Sequence, residues 1–227
     1  MSYKTILIIS AIVVFVLGIT TYIVIQIWVR RYRAKYVRKA QEEAFIKVQS
    51  MRNDIGQLPF VLKDEFRSKS NDLDIEGLIN TVYLNHYQSL LILSKRDLFA
   101  FAAVVEKVKT TGYYLIDEFD FEKYNQVRRK MPEEFQQAIL PYDDQPLDFV
   151  CVFSSNLDIM SIYQKYYQKL NENGMIAICL KFFKNREAYD LVQLLKKNKI
   201  QHEVSYISNK FLFIVKKNIK LENKNEE

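Results

Sequence analysis

The stretch from Leu147 to Leu180 constrains the fold most strongly, because two apolar runs flank a segment with helical periodicity. Phe149 to Phe153 is short and rich in β-forming residues, which is typical of a strand buried on both faces. From Ile159 onward, apolar and aromatic side chains recur at three- and four-residue steps and indicate one face of a helix. Met175 to Leu180 is a second buried strand. Two strands joined by a helix form a right-handed crossover, so this half of the chain predicts a parallel sheet.

Local signals mark both ends of the predicted helix. Ser155 and Asp158 form an S-x-x-D pattern, which is typical of a helix start. Asn173-Gly174 tolerates the left-handed conformation common at helix C-termini, and predicts the helix end there.

Three polar residues follow the first strand of this unit: Ser154, Ser155 and Asn156. Ligands of open parallel sheets bind at the carboxyl ends of the strands, so these residues are candidates for a reaction face on the substrate side. The alternative is that Ser155 only caps the helix.

The rest of the chain predicts further alternation of helices and strands. Asp97 is a plausible N-cap for the helix LFAFAAVVEKV, and Thr111-Gly112 is predicted to stop that helix. The other predicted elements are a helix over Asp72 to Asn85, strands over Ser89 to Leu93 and Tyr113 to Ile116, a helix over Phe121 to Lys130, a weak strand over Ala138 to Leu140, a helix over Asn185 to Lys197, and strands over His202 to Ile207 and Lys210 to Lys216. The expected class is α/β, with a mostly parallel sheet that ends in an antiparallel hairpin.

The N-terminus predicts a transmembrane helix. Thr5 to Val29 is free of charged residues and long enough to cross a hydrocarbon core of about 30 Å. Arg30, Arg31, Arg33, Lys35, Arg38 and Lys39 follow it at once. The positive-inside rule then predicts a single-pass protein of the cell membrane, with its N-terminus outside and its C-terminal domain in the cytoplasm.

The basic excess is local. The formal net charge is +6, but the first 39 residues hold seven basic residues and no acidic one, so the rest is near neutral. Nucleic-acid binding is therefore unlikely as a function. The lipid bilayer is the expected partner, through residues 5–29 and the basic segment 30–39, which either contacts anionic headgroups or serves only to set topology.

The cysteines give no support for a metal site. Cys151 and Cys179 each lie within an apolar strand, apart from His86 and His202, and no C-x-x-C pair occurs. Buried, reduced thiols are the expected state, and no metal ligands are predicted.

The predicted domain organisation has four parts. They are a transmembrane anchor (1–29), a basic juxtamembrane and helical connector (30–84), the α/β domain (85–217) and a disordered, charged tail (218–227).

The order of elements in residues 85–217 resembles class I S-adenosylmethionine-dependent methyltransferases, which have a Rossmann-like sheet. Leu147-Asp148-Phe149-Val150 is similar to the family's "fDlv" strand, and Leu170 to Ile178 to its "LkpGG-hydrophobic" turn and strand. The closing hairpin HEVSYISNKFLFIVKK also fits. The resemblance implies S-adenosylmethionine as cofactor and a methyl acceptor of unknown identity.

The resemblance also implies which residues contact the cofactor. The family places an acid after its second strand, where it accepts hydrogen bonds from the ribose hydroxyls; Asp117 or Glu118 occupies that position here. The turn after the first strand, with Ser94, Lys95 and Asp97, corresponds to the methionine side. Alternatively, the two acids lie in a solvated loop after a strand and contact no ligand.

Two features depart from the family. Its Gly-rich turn is missing: Ser94 stands where the first Gly is expected, Ile92 where an acid is expected, and no Gly occurs between Gly77 and Gly112. Phe153 replaces the Asp of metal-dependent members, which disfavours a metal-dependent O-methyltransferase. The sequence identifies no catalytic residue.

Two functions of different class follow. The first is a membrane-anchored S-adenosylmethionine-dependent methyltransferase. The second is a degenerate, non-catalytic domain of the same fold that acts as a tethered scaffold or binding module, which the missing glycines favour. A phosphate-binding domain is least supported, because the chain has no P-loop or G-x-G-x-x-G pattern.

Overall fold

The computed structural model describes residues 13, 15–32, 35, 57–95 and 97–217. The chain divides into two units, 1–51 and 52–227, and in the first of them residues 15–32 form helix α1. The helices of the second unit are α2 (Phe60–Phe66), α3 (Asp72–Leu84), α4 (Leu98–Val108), α5 (Phe121–Lys130), α6 (Ile159–Tyr167) and α7 (Asn185–Lys197), with short 3-10 turns at Pro132–Glu134 and Leu180–Phe182. Its strands are β1 (Ser89–Ser94), β2 (Thr111–Tyr114), β3 (Ile139–Pro141), β4 (Leu147–Ser154), β5 (Leu170–Cys179), β6 (His202–Tyr206) and β7 (Lys210–Val215).

The seven strands form one sheet in the order β3-β2-β1-β4-β5-β7-β6. Strands β1 to β5 pair in parallel, whereas β7 pairs antiparallel with both β5 and β6. The predicted α/β class, the mostly parallel sheet and the antiparallel C-terminal hairpin are confirmed.

Side chains alternate across the sheet and build two cores. Leu90 and Ile92 pack with α2, α3, α4 and α5, while Leu91 and Leu93 pack with α6 and α7 on the opposite face. The period of two along each buried strand accounts for this division. Helices α2 and α3 bury Leu62, Phe66 and Ile75 in the first core. These two helices precede the predicted start of the α/β domain at residue 85, yet they pack with its sheet.

The prediction of a single-pass protein of the cell membrane is wrong for the part of the chain that the structure describes. None of its helices is both long enough and apolar enough to cross a membrane. The predicted orientation rested on that span and falls with it. The start of the Thr5–Val29 run, most of the basic segment 30–39 and the tail 218–227 lie outside the described residues.

The predicted helix end at Asn173-Gly174 is also wrong. Helix α6 ends at Tyr167, and Asn173-Gly174 lies within β5, where the register against β4 shifts. Asn173 has φ 63°, so the dipeptide does adopt the left-handed conformation, but in a strand irregularity. The N-cap of α6 is Asp158, whose carboxylate accepts from Met160 N and Ser161 N at 3.0 Å.

The end of α4 differs in the same way. The helix ends at Val108, and Lys109 takes the left-handed conformation (φ 59°) that ends it. Gly112 belongs to β2, which ends at Tyr114 rather than Ile116.

At the amino edge of the sheet, Asp148 joins the starts of three strands. Its carboxylate accepts hydrogen bonds from Gln88 N at 2.8 Å, Ser89 N at 3.1 Å and Asn171 Nδ2 at 2.7 Å. Partial burial alone would raise the pKa of Asp148, but these hydrogen bonds outweigh it and hold the pKa below its ordinary value of 3.8. The ionised carboxylate therefore stabilises the fold.

We expect Asp148→Asn to lower the free energy of unfolding at neutral pH by about 1–2 kcal/mol, because it weakens charge-assisted hydrogen bonds. Since the pKa is lower in the folded than in the unfolded chain, the stabilisation is present above pH 3.8 and is lost as the pH falls through the folded value. Urea denaturation of both proteins at a series of pH values measures the difference. A difference that widened below pH 3.8 would contradict this prediction.

Candidate functional site at the carboxyl edge of the sheet

The predicted site residues lie in the loops that follow β1, β2 and β4, which are neighbours in the sheet. Because these strands are parallel, their carboxyl ends meet at one edge. Ser94 ends β1, is only 6% exposed and pairs across the sheet with Ser154, which ends β4. Lys95 N donates to the Ser154 carbonyl at 3.4 Å. Backbone pairing thus brings the cofactor-side turn beside the predicted reaction face.

Glu118 connects the β2 loop to the β4 loop. Its Oε1 accepts hydrogen bonds from Ser155 Oγ at 2.8 Å and from Asn156 N at 3.0 Å. Asp117, the other acid predicted for ribose, is exposed to solvent. Of the two carboxylates, Glu118 is therefore the one that faces the polar loop after β4.

Lys95 reaches the same loop from the other side. Its Nζ donates to Asn156 Oδ1 at 2.5 Å, and both side chains are exposed. Asn156 thus contacts Lys95 after β1 with its side chain and Glu118 after β2 with its backbone.

Asp97 performs a structural task in this turn. Its Oδ1 accepts from Phe99 N at 3.1 Å and caps α4, as the sequence predicts. Its Oδ2 accepts from Ser68 Oγ at 2.7 Å and Ser70 Oγ at 2.5 Å, both in the connection between α2 and α3. No sequence pattern connects the two serines with Asp97, because they lie far from it along the chain.

Three buried oxygen atoms in this part of the chain have no hydrogen-bond partner among the described residues: Glu118 Oε2, Tyr142 Oη and Tyr166 Oη. The rings of Tyr142, just after β3, and Tyr166, on α6, lie 6.0 Å apart. Burial and the charge of Asp144 raise the pKa of Tyr142 to about 12. Burial raises the pKa of Tyr166, and the charge of Glu118 raises it further, so both phenols are neutral donors at physiological pH.

No pattern in the sequence singles out these two tyrosines. Tyr142 falls in a turn-like segment, and Tyr166 fits the apolar face of α6, on which it is fully buried. The only available signal was that a buried phenol needs a hydrogen-bond partner, and burial is visible only in the fold.

Phe153 occupies the end of β4 where metal-dependent family members carry Asp. It is 7% exposed and packs edge-on against Phe211, with ring centroids 6.2 Å apart. Within the described ranges, no group of three or more His, Cys, Asp or Glu is placed to hold a metal ion.

A hollow of about 470 Å³ lies between α2 and α5, and its lining includes Asp64, Lys123 and Lys130 but none of the predicted site residues.

Solved structures share this architecture. A proposed caffeoyl-CoA O-methyltransferase from Staphylococcus aureus matches 78% of this chain and 99% of its own, with a TM-score of 0.50 and 11% identity. A methyltransferase from Geobacter sulfurreducens matches 66% of this chain and 81% of its own, with a TM-score of 0.51 and 10% identity. No protein-family model and no curated protein matches the sequence.

The strand order, the C-terminal hairpin and these similarities together define the fold. The second unit of this chain has the Rossmann-like fold of class I S-adenosylmethionine-dependent methyltransferases, as the resemblance in the sequence indicated.

Proposed function

We propose that this domain binds S-adenosylmethionine at the carboxyl edge of β1, β2 and β4 and transfers its methyl group to an acceptor that is still to be identified. The observation that carries the proposal is the carboxylate of Glu118. It follows β2, where the fold family holds the ribose, and its Oε2 is a buried acceptor without a partner in the described chain.

Ribose fits this acceptor chemically. A buried acceptor without a partner costs about 1–3 kcal/mol, and two vicinal hydroxyls would supply donors to the carboxylate. The ribose side of the site therefore fits the cofactor of the fold family.

The methionine side is assigned to the turn after β1. Lys95 brings a cation to this turn, and a cation suits the carboxylate of the methionine moiety. The backbone there carries Ser94 where the family has its first glycine, so the cofactor would lie further from the turn. S-adenosylmethionine supplies an activated methyl group, and the task left to the protein is to hold acceptor and sulfonium in line. Ser154, Ser155 and Asn156 are the proposed acceptor side.

The second candidate is a non-catalytic domain that uses the same fold as a scaffold or binding module. The observation that favours it is the set of hydrogen bonds already made at this edge. Glu118 accepts from Ser155 and Asn156, and Asn156 in turn accepts from Lys95. In a scaffold these contacts would stabilise the loops, and no ligand would need to replace them.

Calorimetric titration of S-adenosylmethionine into the full chain separates the two candidates. We expect micromolar binding, and we expect Glu118→Gln to weaken it by about 10- to 100-fold, as the loss of a charged hydrogen-bond acceptor predicts. Glu122→Gln is the matched control: it makes the same chemical change at an exposed residue of α5, and should alter affinity less than about twofold.

Each result has a distinct meaning. Loss of binding in Asp117→Asn, with Glu118→Gln unaffected, would move the ribose contact to Asp117. Absence of heat at millimolar ligand, from the wild-type chain and from every variant that melts cooperatively, would refute the enzyme and leave the scaffold.

A further inference from the structure

The loop between β4 and α6 bonds both the turn after β1, at Lys95, and the loop after β2, at Glu118. We infer that Ser155 and Asn156 form an autoinhibitory latch, which must leave Glu118 before a ribose can bind there. This inference rests on the proposed function, and concerns what controls entry to the same site.

The two oxygens of the Glu118 carboxylate are occupied unequally. Oε1 of Glu118 accepts two hydrogen bonds, from Ser155 Oγ at 2.8 Å and Asn156 N at 3.0 Å, whereas Oε2 accepts none from the described residues. One carboxylate oxygen has about two acceptor positions, so Oε1 is saturated. A ribose that uses both oxygens must therefore displace the loop from Oε1.

Helix α6 is anchored independently of the latch. Asp158 caps the helix through Met160 N and Ser161 N, and its Oδ2 accepts from Ser161 Oγ at 2.6 Å. The residues that bond Glu118 precede this cap and lie outside any helix or strand. They can move without unwinding α6, which is the property that a latch requires.

The latch also contacts both halves of the proposed site, the methionine side at Lys95 and the ribose side at Glu118. Asn156 Oδ1 accepts from Lys95 Nζ, while the backbone N–H of the same residue donates to Glu118. Release of Ser155 and Asn156 frees the cation assigned to the methionine side and the carboxylate assigned to the ribose side together. Cofactor entry and latch release are then one competition for the same groups.

The double variant Ser155→Ala/Asn156→Ala tests the latch, because it removes the hydroxyl that bonds Glu118 and the amide that bonds Lys95. We expect the full-length variant to bind S-adenosylmethionine about tenfold more tightly than wild type in calorimetry, the factor that corresponds to 1.4 kcal/mol. Asn156→Ala alone, which leaves the Glu118 bonds in place, should give a gain of about two- to threefold. Thermal melts establish that each variant is folded.

Ser161→Ala is the matched control. It removes a hydroxyl–carboxylate hydrogen bond at the same helix start without touching Glu118, so the melting temperature should fall and the affinity should stay within about twofold. In a Glu118→Gln background, the gain from the double variant should fall to the two- to threefold that Asn156→Ala gives alone, since the changes at Ser155 and Glu118 act on one contact.

The outcomes separate the latch from the function it controls. Equal or weaker binding by the double variant, with measurable binding by wild type, overturns the latch and leaves the proposed function standing. Absence of binding in both folded proteins overturns both proposals. Binding by the variant alone supports both.

Discussion

Replacement of Asp74 by alanine is expected to lower the free energy of unfolding by about 3–5 kcal/mol, the range for removing one partner of a buried charged interaction. Asp74 lies on α3 and is 2% exposed. Its Oδ1 accepts from Ser208 N and Asn209 N, each at 2.8 Å, and its Oδ2 accepts from Asn209 Nδ2. The carboxylate thereby binds the turn of the C-terminal hairpin, and without it these donors are left unpaired.

Asp72→Ala is the matched control, because Asp72 is two residues earlier on the same helix. Its ion pair with Lys63, at 2.5 Å, lies at the surface, where such pairs contribute about 0–1 kcal/mol. Chemical denaturation of both variants measures the contrast. Equal losses would show that the carboxylate of Asp74 does not hold the hairpin.

A second large effect is expected at Gly174, where alanine should destabilise the fold by about 3 kcal/mol, the upper end of the range for overpacking. A Cβ placed there would lie 2.9 Å from Asn171 O, 3.0 Å from Asp148 O and 3.2 Å from Leu147 O. All three neighbours are backbone carbonyls at the register shift between β4 and β5, so relief requires movement of the strands themselves.

Gly77→Ala provides the contrast. A Cβ at Gly77 would approach Ile207 Cγ2 at 2.6 Å and Cδ1 at 2.8 Å, but these belong to a single half-buried side chain in the turn between β6 and β7, whose displacement disturbs less than that of two paired strands. Alanine also favours a helix over glycine by about 1 kcal/mol, which offsets part of the clash. We expect a net change of less than about 1 kcal/mol. A Gly174→Ala variant as stable as Gly77→Ala would disprove the backbone argument.

The sequence predicted the arrangement of the sheet well, because buried strands and amphipathic helices have different periods. Helices α5 and α7 begin and end at the predicted residues, and the closing hairpin pairs as expected. The errors fall at turns. Asn173-Gly174 and Thr111-Gly112 contain residues that suit a helix end, a bulge or a strand in close contact, and only the surrounding packing distinguishes these uses.

The candidate site shows a similar division. Chain order placed Glu118 at the end of β2 and Ser155 at the end of β4, but gave no means of seeing that they bond each other. Tyr142 and Tyr166 remained hidden, because a tyrosine in a turn or on an apolar helix face has no special pattern. The charge-free N-terminal run suggested a membrane span, and the helix described there is not sufficient for one.

By itself, the amino-acid sequence determined the α/β class, the order of helices and strands along the chain and the edge at which polar residues gather, because these depend on periodicity and chain order. The tertiary structure decided which of those polar groups contact one another. Hydrogen bonds between residues 118 and 155, or 74 and 209, join segments that are distant along the chain. Such contacts arise only after the packing of the sheet has brought the segments together.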